Sequence, residues 1–196
     1  MLKLTSGYEK LQKLNLFKSC VSKIELPSSA NNIPLTLLDV RDSQLTNLDL
    51  EEQNLLTSLD LTNCTKLNTL RISNCAKITS LSLDKTQENI KTVDIGSDTF
   101  ESFDCIENNS ITTVSIDSSK LKRVNIIKCP KLTSLSISGT SLKYLNLEGC
   151  IGLDYIHISD PSDSIDFLHL NNTNIAGLQY DNGNFTRGII DLSVFS

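Results

Sequence analysis

The sequence predicts an all-β or nearly all-β solenoid of about eight rungs, with parallel strands on both sides and little helix. Three observations lead to this prediction: a short apolar motif recurs along the chain, its last two apolar positions follow the period of a strand, and no segment sustains a helical period. The chain has 196 residues, of which 39% are hydrophobic, and this is enough for one continuous core.

The motif has the form L-x-x-L-x-L, where L is any aliphatic residue, and it is clearest in residues 56–89 and 121–153. Its copies fall into two alternating sets. Set A comprises Leu11/Leu14/Leu16, Leu35/Leu38/Val40, Leu56/Leu59/Leu61, Ile78/Leu81/Leu83, Phe100/Phe103/Cys105, Leu121/Val124/Ile126, Leu142/Leu145/Leu147 and Ile165/Leu168/Leu170. Set B comprises Val21/Ile24/Leu26, Leu45/Leu48/Leu50, Leu67/Leu70/Ile72, Ile90/Val93/Ile95, Ile111/Val114/Ile116, Leu132/Leu135/Ile137, Leu153/Ile156/Ile158 and Ile175/Leu178/Tyr180.

The spacing of these copies defines the organisation of the chain. Half-units recur every 10 to 12 residues, apart from one 14-residue interval after Val21, and set A repeats every 21 to 24 residues. Each half-unit is interpreted as one short strand with a polar turn, and only stacked copies can bury the apolar side. We therefore expect one domain, with an N-terminal cap over 1–10, the solenoid over 11–183 and a C-terminal cap over 184–196.

The unit L-x-x-L-x-L-x-x-N/C-x-L resembles leucine-rich repeats, most closely the short bacterial class of about 21 residues in which both halves carry the motif. The resemblance covers about Leu11 to Tyr180, most of the chain. It implies a right-handed leucine-rich-repeat solenoid and, because members of the class look like surface or secreted proteins of host-associated bacteria, adhesion or host-protein binding. The turn position departs from the pattern, since it is often Cys, Thr or Ser instead of Asn.

Four cysteines occupy one repeated position of the motif. Cys64, Cys75, Cys129 and Cys150 each lie three residues after the last aliphatic residue. In leucine-rich repeats an Asn or Cys there turns inward and hydrogen-bonds backbone groups between rungs, so the resemblance implies a structural ladder. A zinc site is not expected because the chain has no C-x-x-C pair. A disulfide between Cys129 and Cys150, in adjacent A rungs, remains an alternative.

Neither catalysis nor a cofactor is expected. The only two histidines, His157 on a B strand and His169 on an A strand, should lie on opposite sides of the coil. No nucleophile triad, metalloprotease motif, dinucleotide fingerprint or phosphate-binding loop is present, so we expect no enzyme, no catalytic residue, no metal and no cofactor. The net charge of −5 argues against nucleic acid and anionic membranes, and no apolar run approaches the roughly 18 residues of a membrane span.

The outward positions of the strands point to one side of the coil as the binding side. Apolar side chains at these positions occur on set A, whereas set B has only Tyr155; the set A residues are Phe17, Leu37, Ile106, Ile127, Tyr144 and Phe167. Aromatic residues and Arg are enriched at binding hot spots. The predicted partner-binding patch consists of Ile106, Arg123, Ile127, Tyr144, Asn146, Phe167 and His169. The alternative is that these side chains pack under a cap or only against one another.

Asp39 and Asp60 fall in the middle outward column of the same side, on adjacent rungs. This column either contacts a cation or a basic ligand or, as we favour, forms a solvated face.

The leading functional expectation is a non-enzymatic protein-binding module, monomeric and part of a bacterial cell-surface or secreted protein. The alternative is a structural spacer or self-associating coil of a larger protein, and a third hypothesis is the recognition arm of an enzyme. Residues Met1–Lys10 lack the apolar core of a signal peptide. We therefore expect either a cytoplasmic protein or an exported one whose signal was removed, and the family resemblance favours the surface or secreted location.

Overall fold

The computed structural model describes residues 1–4, 7–27, 33–139, 141–159, 165–175, 177–181 and 189–191; of residues 155, 177–181 and 189–191 only the backbone is described. The predicted all-β solenoid with parallel strands on both sides is confirmed: within the described residues there is no helix, and every strand pairing is parallel. The solenoid has about seven turns at a spacing of about 21 residues.

Strands alternate between two faces, which we call the A face and the B face after the two sets of motifs. The B face contains β1 (Leu2–Lys3), β3 (Ile24–Glu25), β5 (Asn47–Glu51), β7 (Thr69–Ser73), β9 (Thr92–Gly96), β11 (Thr113–Asp117), β13 (Ser134–Ser138), β15 (Tyr155–Ser159) and β17 (Gly177–Asp181). The A face contains β2 (Lys13–Asn15), β4 (Leu37–Asp39), β6 (Leu59–Asp60), β8 (Ser80–Leu83), β10 (Ser102–Ile106), β12 (Arg123–Ile127), β14 (Tyr144–Asn146), β16 (Phe167–His169) and β18 (Ile189–Asp191).

The two faces differ in continuity. On the B face, β5 to β17 form one seven-stranded sheet, and the Lys23–Asn47 bridge continues it to the β1–β3 pair. On the A face the order is interrupted, because β2–β4–β6 form one sheet and β8 to β18 form another. The A face therefore has a break between β6 and β8, beside a B sheet that remains paired through β5, β7 and β9.

Strands also form near both termini, in the segments that we predicted as caps. β1 pairs with β3 in register Leu2 with Ile24, so the N-terminal segment adds one strand to the B face. β18 pairs with β16 on the A face, within the segment 184–196. Residues 184–188 and 192–196 of the expected C-terminal cap lie outside the described residues.

The core follows from the register of the strands. Equivalent motif positions stack from turn to turn, as in the column Leu81–Phe103–Val124–Leu145–Leu168. Phe100 and Phe103 are fully buried in the middle of the solenoid. Each such aliphatic or aromatic side chain contributes roughly 1.5–3 kcal/mol before chain entropy is subtracted. Neighbouring turns therefore stabilise one another and hold the outward side chains in fixed columns.

A repeated backbone conformation ends many of the strands. The residue two positions after the last apolar residue of the motif is left-handed, with φ between 52° and 56° at the non-glycine positions and 62° to 72° at the glycines. These residues are Lys18, Asp42, Glu52, Asn63, Asn74, Glu107, Lys128, Gly139, Gly149 and Asn172. This conformation reverses the chain direction sharply, so that the next residue can turn its side chain into the interior.

Candidate functional site

The predicted partner-binding patch lies on β10, β12, β14 and β16 of the A face. The sheet register pairs Ile106 with Ile127, Arg123 with Tyr144, and Tyr144 with Phe167. Side chains at paired positions of parallel strands point the same way and are separated by about 4.8 Å. The register therefore gathers the predicted residues into adjacent columns on one surface.

One column is built from stacked flat groups. The rings of Tyr144 and Phe167 lie 4.6 Å apart between centroids and are inclined by only 3°. The guanidinium of Arg123 lies 5.2 Å from the Tyr144 ring centroid, within range of a cation–π contact. The distance between the ring centroids is close to the spacing of neighbouring strands, because successive turns each supply one ring. Phe167 nevertheless remains 43% exposed, so stacking hides only part of the column.

His169 and Asn146 border this column on the neighbouring positions. The His169 imidazole meets the Phe167 ring edge-on, with centroids 5.9 Å apart and an interplanar angle of 85°. Asn146, paired in register with His169, is only 5% exposed. Its Oδ1 accepts a hydrogen bond from the Glu148 backbone N–H at 3.0 Å. Asn146 therefore supports the turn after β14, and its carbonyl is already engaged within the chain.

A second column of the patch is aliphatic. Ile106 and Ile127 are paired in register at the ends of β10 and β12. Ile106 is 41% exposed, and Ile127 is half-buried. These side chains offer a dry surface beside the stacked column, as the centre of a protein interface requires.

Ion pairs edge the patch. Arg123 Nη1 lies 3.1 Å from Asp104 Oδ1, so the same guanidinium contacts a carboxylate and an aromatic ring. Lys128 Nζ lies 3.4 Å from Glu107 Oε1 at the turn that follows the aliphatic column. Both pairs are largely exposed, and such pairs contribute little to folding stability. The Arg123–Asp104 pair orients the guanidinium of Arg123, and the outer surface of that guanidinium remains accessible.

Asn125 is a polar residue of the patch that the sequence reasoning did not single out. It is 5% exposed, lies between Arg123 and Ile127 on β12, and is paired with Asp104 and Asn146 in register. Its Oδ1 is buried without a hydrogen-bond partner. An unsatisfied buried acceptor is unfavourable by about 1–3 kcal/mol. The only available signal was its place in the outward column between Asp104 and Asn146.

The N-terminal part of the A face has separate features. Phe17 and Leu37 are 44% and 39% exposed, and both Lys18 and Arg41 lie within cation–π range of the Phe17 ring. Arg41 Nη2 also lies 2.7 Å from Asp39 Oδ2, and Arg41 Nε lies 3.8 Å from Asp60 Oδ2. The hydrogen bond from Arg41 lowers the pKa of Asp39. Arg41 therefore offsets the repulsion between the two carboxylates, a role that we did not assign from the sequence.

The four ladder cysteines are fully buried and contact backbone carbonyls of the preceding turn. The sulfur-to-oxygen distances are 3.1 Å from Cys64 to Val40, 3.5 Å from Cys75 to Leu50, 3.6 Å from Cys129 to Cys105 and 3.4 Å from Cys150 to Ile126. Burial raises the pKa of the Cys64 and Cys75 thiols. The Cys64 and Cys75 thiols thus remain weak hydrogen-bond donors in the interior and lack the character of nucleophiles.

All six cysteines are free thiols. Cys105 Sγ lies 3.7 Å from Cys129 Sγ, which is contact distance between unbonded sulfur atoms. The hydrogen bond with Cys129, together with burial, raises the pKa of the Cys105 and Cys150 thiols. The structure thus contains no Cys129–Cys150 disulfide, and a sulfur atom of Cys105 packs against Cys129 from the preceding turn.

His157 and His169 lie on β15 and β16, on opposite faces. Among the residues that the structure describes, no group of three or more His, Cys, Asp or Glu side chains is arranged to hold a metal ion. The side chain of Tyr155, the outward aromatic residue expected on the B face, lies outside the described part of the structure.

A search of the described residues for a helix long and apolar enough to cross a membrane found none. Comparison of the chain with protein-family models, with curated proteins and with solved structures found no match.

Proposed function

We propose that this chain is a non-enzymatic, leucine-rich-repeat-type module that binds a protein partner through the C-terminal half of its A face. The observation that carries the proposal is the stacked column of Arg123, Tyr144 and Phe167 beside exposed aliphatic side chains. Aromatic residues and arginine dominate the energetics of protein interfaces, because they bury a large area with little loss of side-chain freedom.

Preorganisation supports this choice of surface. The strands fix the column from below, and ring stacking and the Arg123–Asp104 ion pair fix it from the sides. These side chains are therefore ordered before binding, and immobilising them in a complex would cost little free energy.

The family and location in this proposal rest on the repeat itself. A two-faced solenoid at about 21-residue spacing is compatible with the short bacterial leucine-rich repeats that the motif resembles. We accordingly propose a bacterial cell-surface or secreted protein that acts in adhesion or in contacts with host proteins, and a monomer in solution.

The test introduces two negative charges into the patch. The double variant Tyr144→Glu, Ile127→Glu should lower partner recovery from host lysates and secretions at least about tenfold, because a carboxylate at a desolvated contact costs more than 1.4 kcal/mol. Recovery would be measured by affinity capture with quantitative mass spectrometry. Both side chains point outward, so the melting temperature should stay within about 2 °C of the unmodified protein.

A matched control places the same charges on the other face. Ser134→Glu with Ser136→Glu on β13 adds two carboxylates to the B face and should leave partner recovery unchanged. Undiminished recovery with the A-face variant, or loss of folding in that variant, would refute the assignment. End-to-end oligomers in sedimentation experiments that persist in both variants would instead favour the structural spacer or self-associating coil.

A further inference from the structure

The break in the A face between β6 and β8 forms a cleft that the proposed partner patch does not include. The cleft has a volume of about 400 Å³ and is lined by residues 57–62 on one rim, residues 79–82 and Asp84 on the other, and Gln87. No backbone hydrogen bond joins these two described segments. The corresponding positions one turn later, in β8 and β10, are directly paired.

One end of the cleft is bridged by the side-chain amide of Gln87. Its Nε2 donates to the Leu61 carbonyl at 3.0 Å, and its Oε1 accepts from the Asp84 N–H at 2.8 Å. Gln87 is only 3% exposed, so this bridge is part of the interior. A carboxamide presents the same donor and acceptor as a backbone peptide group. Gln87 therefore fills, at this turn, the ladder position from which Cys64 and Cys150 reach the Val40 and Ile126 carbonyls at other turns.

A second side-chain contact between the two turns lies beside that of Gln87. The Asn63 N–H donates to Thr86 Oγ1 at 3.4 Å. The equivalent N–H groups of Asp42 and Lys128 donate directly to backbone carbonyls of the next turn, at 3.0 Å and 2.7 Å. One backbone bond between turns is thus replaced by a side-chain bridge. Side chains therefore join the two turns here, and no backbone hydrogen bond closes the cleft.

The open rims carry backbone groups suited to pairing. On the A face, outward-facing residues direct their backbone groups toward the preceding turn, as the Asp39 carbonyl does in accepting from the Leu16 N–H at 2.7 Å. By this pattern Ser80 and Ser82 direct their N–H and C=O groups into the cleft. Unpaired strand edges of this kind are templates for an additional strand. The inward side chains Leu59 and Leu81 provide an apolar floor between the rims.

We propose that the cleft between β6 and β8 binds an extended segment of a partner polypeptide, which adds one strand to the A face and completes the sheet. Pairing of backbone groups would supply affinity, and alternate side chains would supply selectivity. The rims from Thr57 to Asp60 and from Thr79 to Ser82 accommodate about four residues before Gln87 closes the end.

The lining selects the composition of this segment. Asp60 and Asp84 are the only charged residues that line the cleft, and neither Lys nor Arg does so. The favoured segment is therefore basic at the end beside Gln87, with aliphatic residues at the alternate positions that face Leu59 and Leu81. This site lies on different rungs from the partner patch, so loss of one leaves the other testable.

The first test needs no ligand and measures amide hydrogen exchange in the free protein. Ser80 and Ser82 should exchange at least about 100-fold faster than Ser102 and Asp104, their counterparts on the next strand, because only the latter N–H groups are paired with a preceding strand. Equal protection at the two pairs of sites would show that the A sheet is closed and would overturn the proposal.

The second test uses the synthetic hexapeptide KVTVTK, acetylated and amidated at its ends, with a fluorescent label on one lysine. Saturable binding should slow exchange at Ser80 and Ser82 but leave Ser102 unchanged. The same peptide with N-methyl groups on both valines cannot donate to one rim and should bind at least about tenfold more weakly. The variant EVTVTE should also bind at least about tenfold more weakly, because one of its glutamates replaces the lysine that faces Asp60 and Asp84.

Several outcomes would contradict the proposal. The first is the absence of saturable binding at peptide concentrations up to about 1 mM. The second is binding that N-methylation of the peptide does not weaken. The third is protection of Ser80 and Ser82 by cellohexaose but not by the peptide. The last outcome would assign the cleft to a saccharide.

A variant of the bridge separates the cleft from general stability. Gln87→Asn shortens the side chain by one methylene, so one amide can no longer span both rims, and the rims should pair directly. We expect Ser80 and Ser82 to become protected and hexapeptide binding to be lost. Gln53→Asn, at a buried glutamine of the B face, is the matched control and should keep the binding. Unchanged peptide binding in the Gln87 variant would refute the role of the bridge.

Discussion

At the scale of single residues, the recurrent left-handed turn shows how the chain leaves each strand. Eight of the ten positions carry side chains, among them Lys18, Glu52 and Lys128, although this conformation costs about 1 kcal/mol for a non-glycine residue. The turn aims the next residue inward, where Cys64, Cys75, Cys129 and Cys150 reach carbonyls of the preceding turn. The favourable interior contacts of the solenoid offset this local strain.

Glycine is required at one position for lack of space. A Cβ on Gly152 would lie 2.5 Å from the Pro130 carbonyl oxygen and 3.0 Å from that of Leu132. Gly152→Ala should therefore destabilise the fold by about 1–3 kcal/mol, since two backbone segments would have to move. Chemical denaturation followed by circular dichroism measures this difference.

Gly96 provides the matched control for that substitution. It lies in β9, and a Cβ there meets nothing within 4 Å. Gly96→Ala should change the free energy of unfolding by less than about 1 kcal/mol, in the stabilising direction, because alanine restricts the unfolded chain. Equal losses for Gly152→Ala and Gly96→Ala would show that crowding by Pro130 and Leu132 is not the cause.

At the scale of elements, the turn after β10 depends on one buried carboxamide. Asn108 is fully buried; its Nδ2 donates to the carbonyls of Asp84 and Gln87, and its Oδ1 accepts from the N–H groups of Ser110 and Ile111. All four bonds are between 2.9 and 3.1 Å. This residue joins the turn to the preceding one more completely than any thiol of the ladder can.

Replacing Asn108 by Asp should destabilise the protein by about 2–4 kcal/mol at neutral pH. A carboxylate keeps the two accepted bonds but faces two carbonyl oxygens with no proton to donate, and its charge is buried. Urea unfolding at pH 7 measures the loss. Asn89→Asp is the control, because Asn89 also donates to a carbonyl but is exposed; comparable losses at both sites would exclude burial as the reason.

The positions of the strands could be predicted from the sequence, whereas the hydrogen bonds that join successive turns could be predicted only in part. The apolar triplets mark the inward positions of the strands, because buried alternation is the strongest constraint on a strand. The break at β6–β8 could not be predicted, since Leu56/Leu59/Leu61 and Ile78/Leu81/Leu83 are as regular as any other triplets. Gln87 and the 12-residue interval from Ile78 to Ile90 distinguish that turn, but the effect of Gln87 depends on its reaching both rims at once.

The patch on the C-terminal half of the A face was partly predictable for a similar reason. A fixed register converts sequence spacing into columns, so the adjacency of Tyr144 and Phe167 follows from the repeat. The burial of Asn125 and the internal hydrogen bond of Asn146 depend on how neighbouring side chains cover them. Such coverage is a tertiary property that no spacing rule contains.

At the scale of the whole molecule, the thiols report on the integrity of the solenoid. Cys20 is exposed, and the other five cysteines are fully buried. An alkylating reagent should therefore modify Cys20 within minutes, while the other five react only as fast as the solenoid opens, because attack requires an accessible thiolate. Peptide mapping by mass spectrometry after timed quenching identifies each site.

Labelling in denaturant provides the reference, in which all six thiols should react together. A destabilising change such as Asn108→Asp should accelerate modification of Cys105 and Cys129 without altering that of Cys20. Modification of Cys129 in the native protein at the rate of Cys20 would contradict the packing of the C-terminal turns.

The one-sided break between β6 and β8 also determines how the molecule responds to force. The B sheet is continuous past this point through β5, β7 and β9, while the A face is not. The B sheet thus acts as a hinge line, and bending that widens the cleft breaks no backbone hydrogen bond between β6 and β8. A strand wedged between the rims would set the angle of the hinge, and with it the direction in which the C-terminal patch is presented.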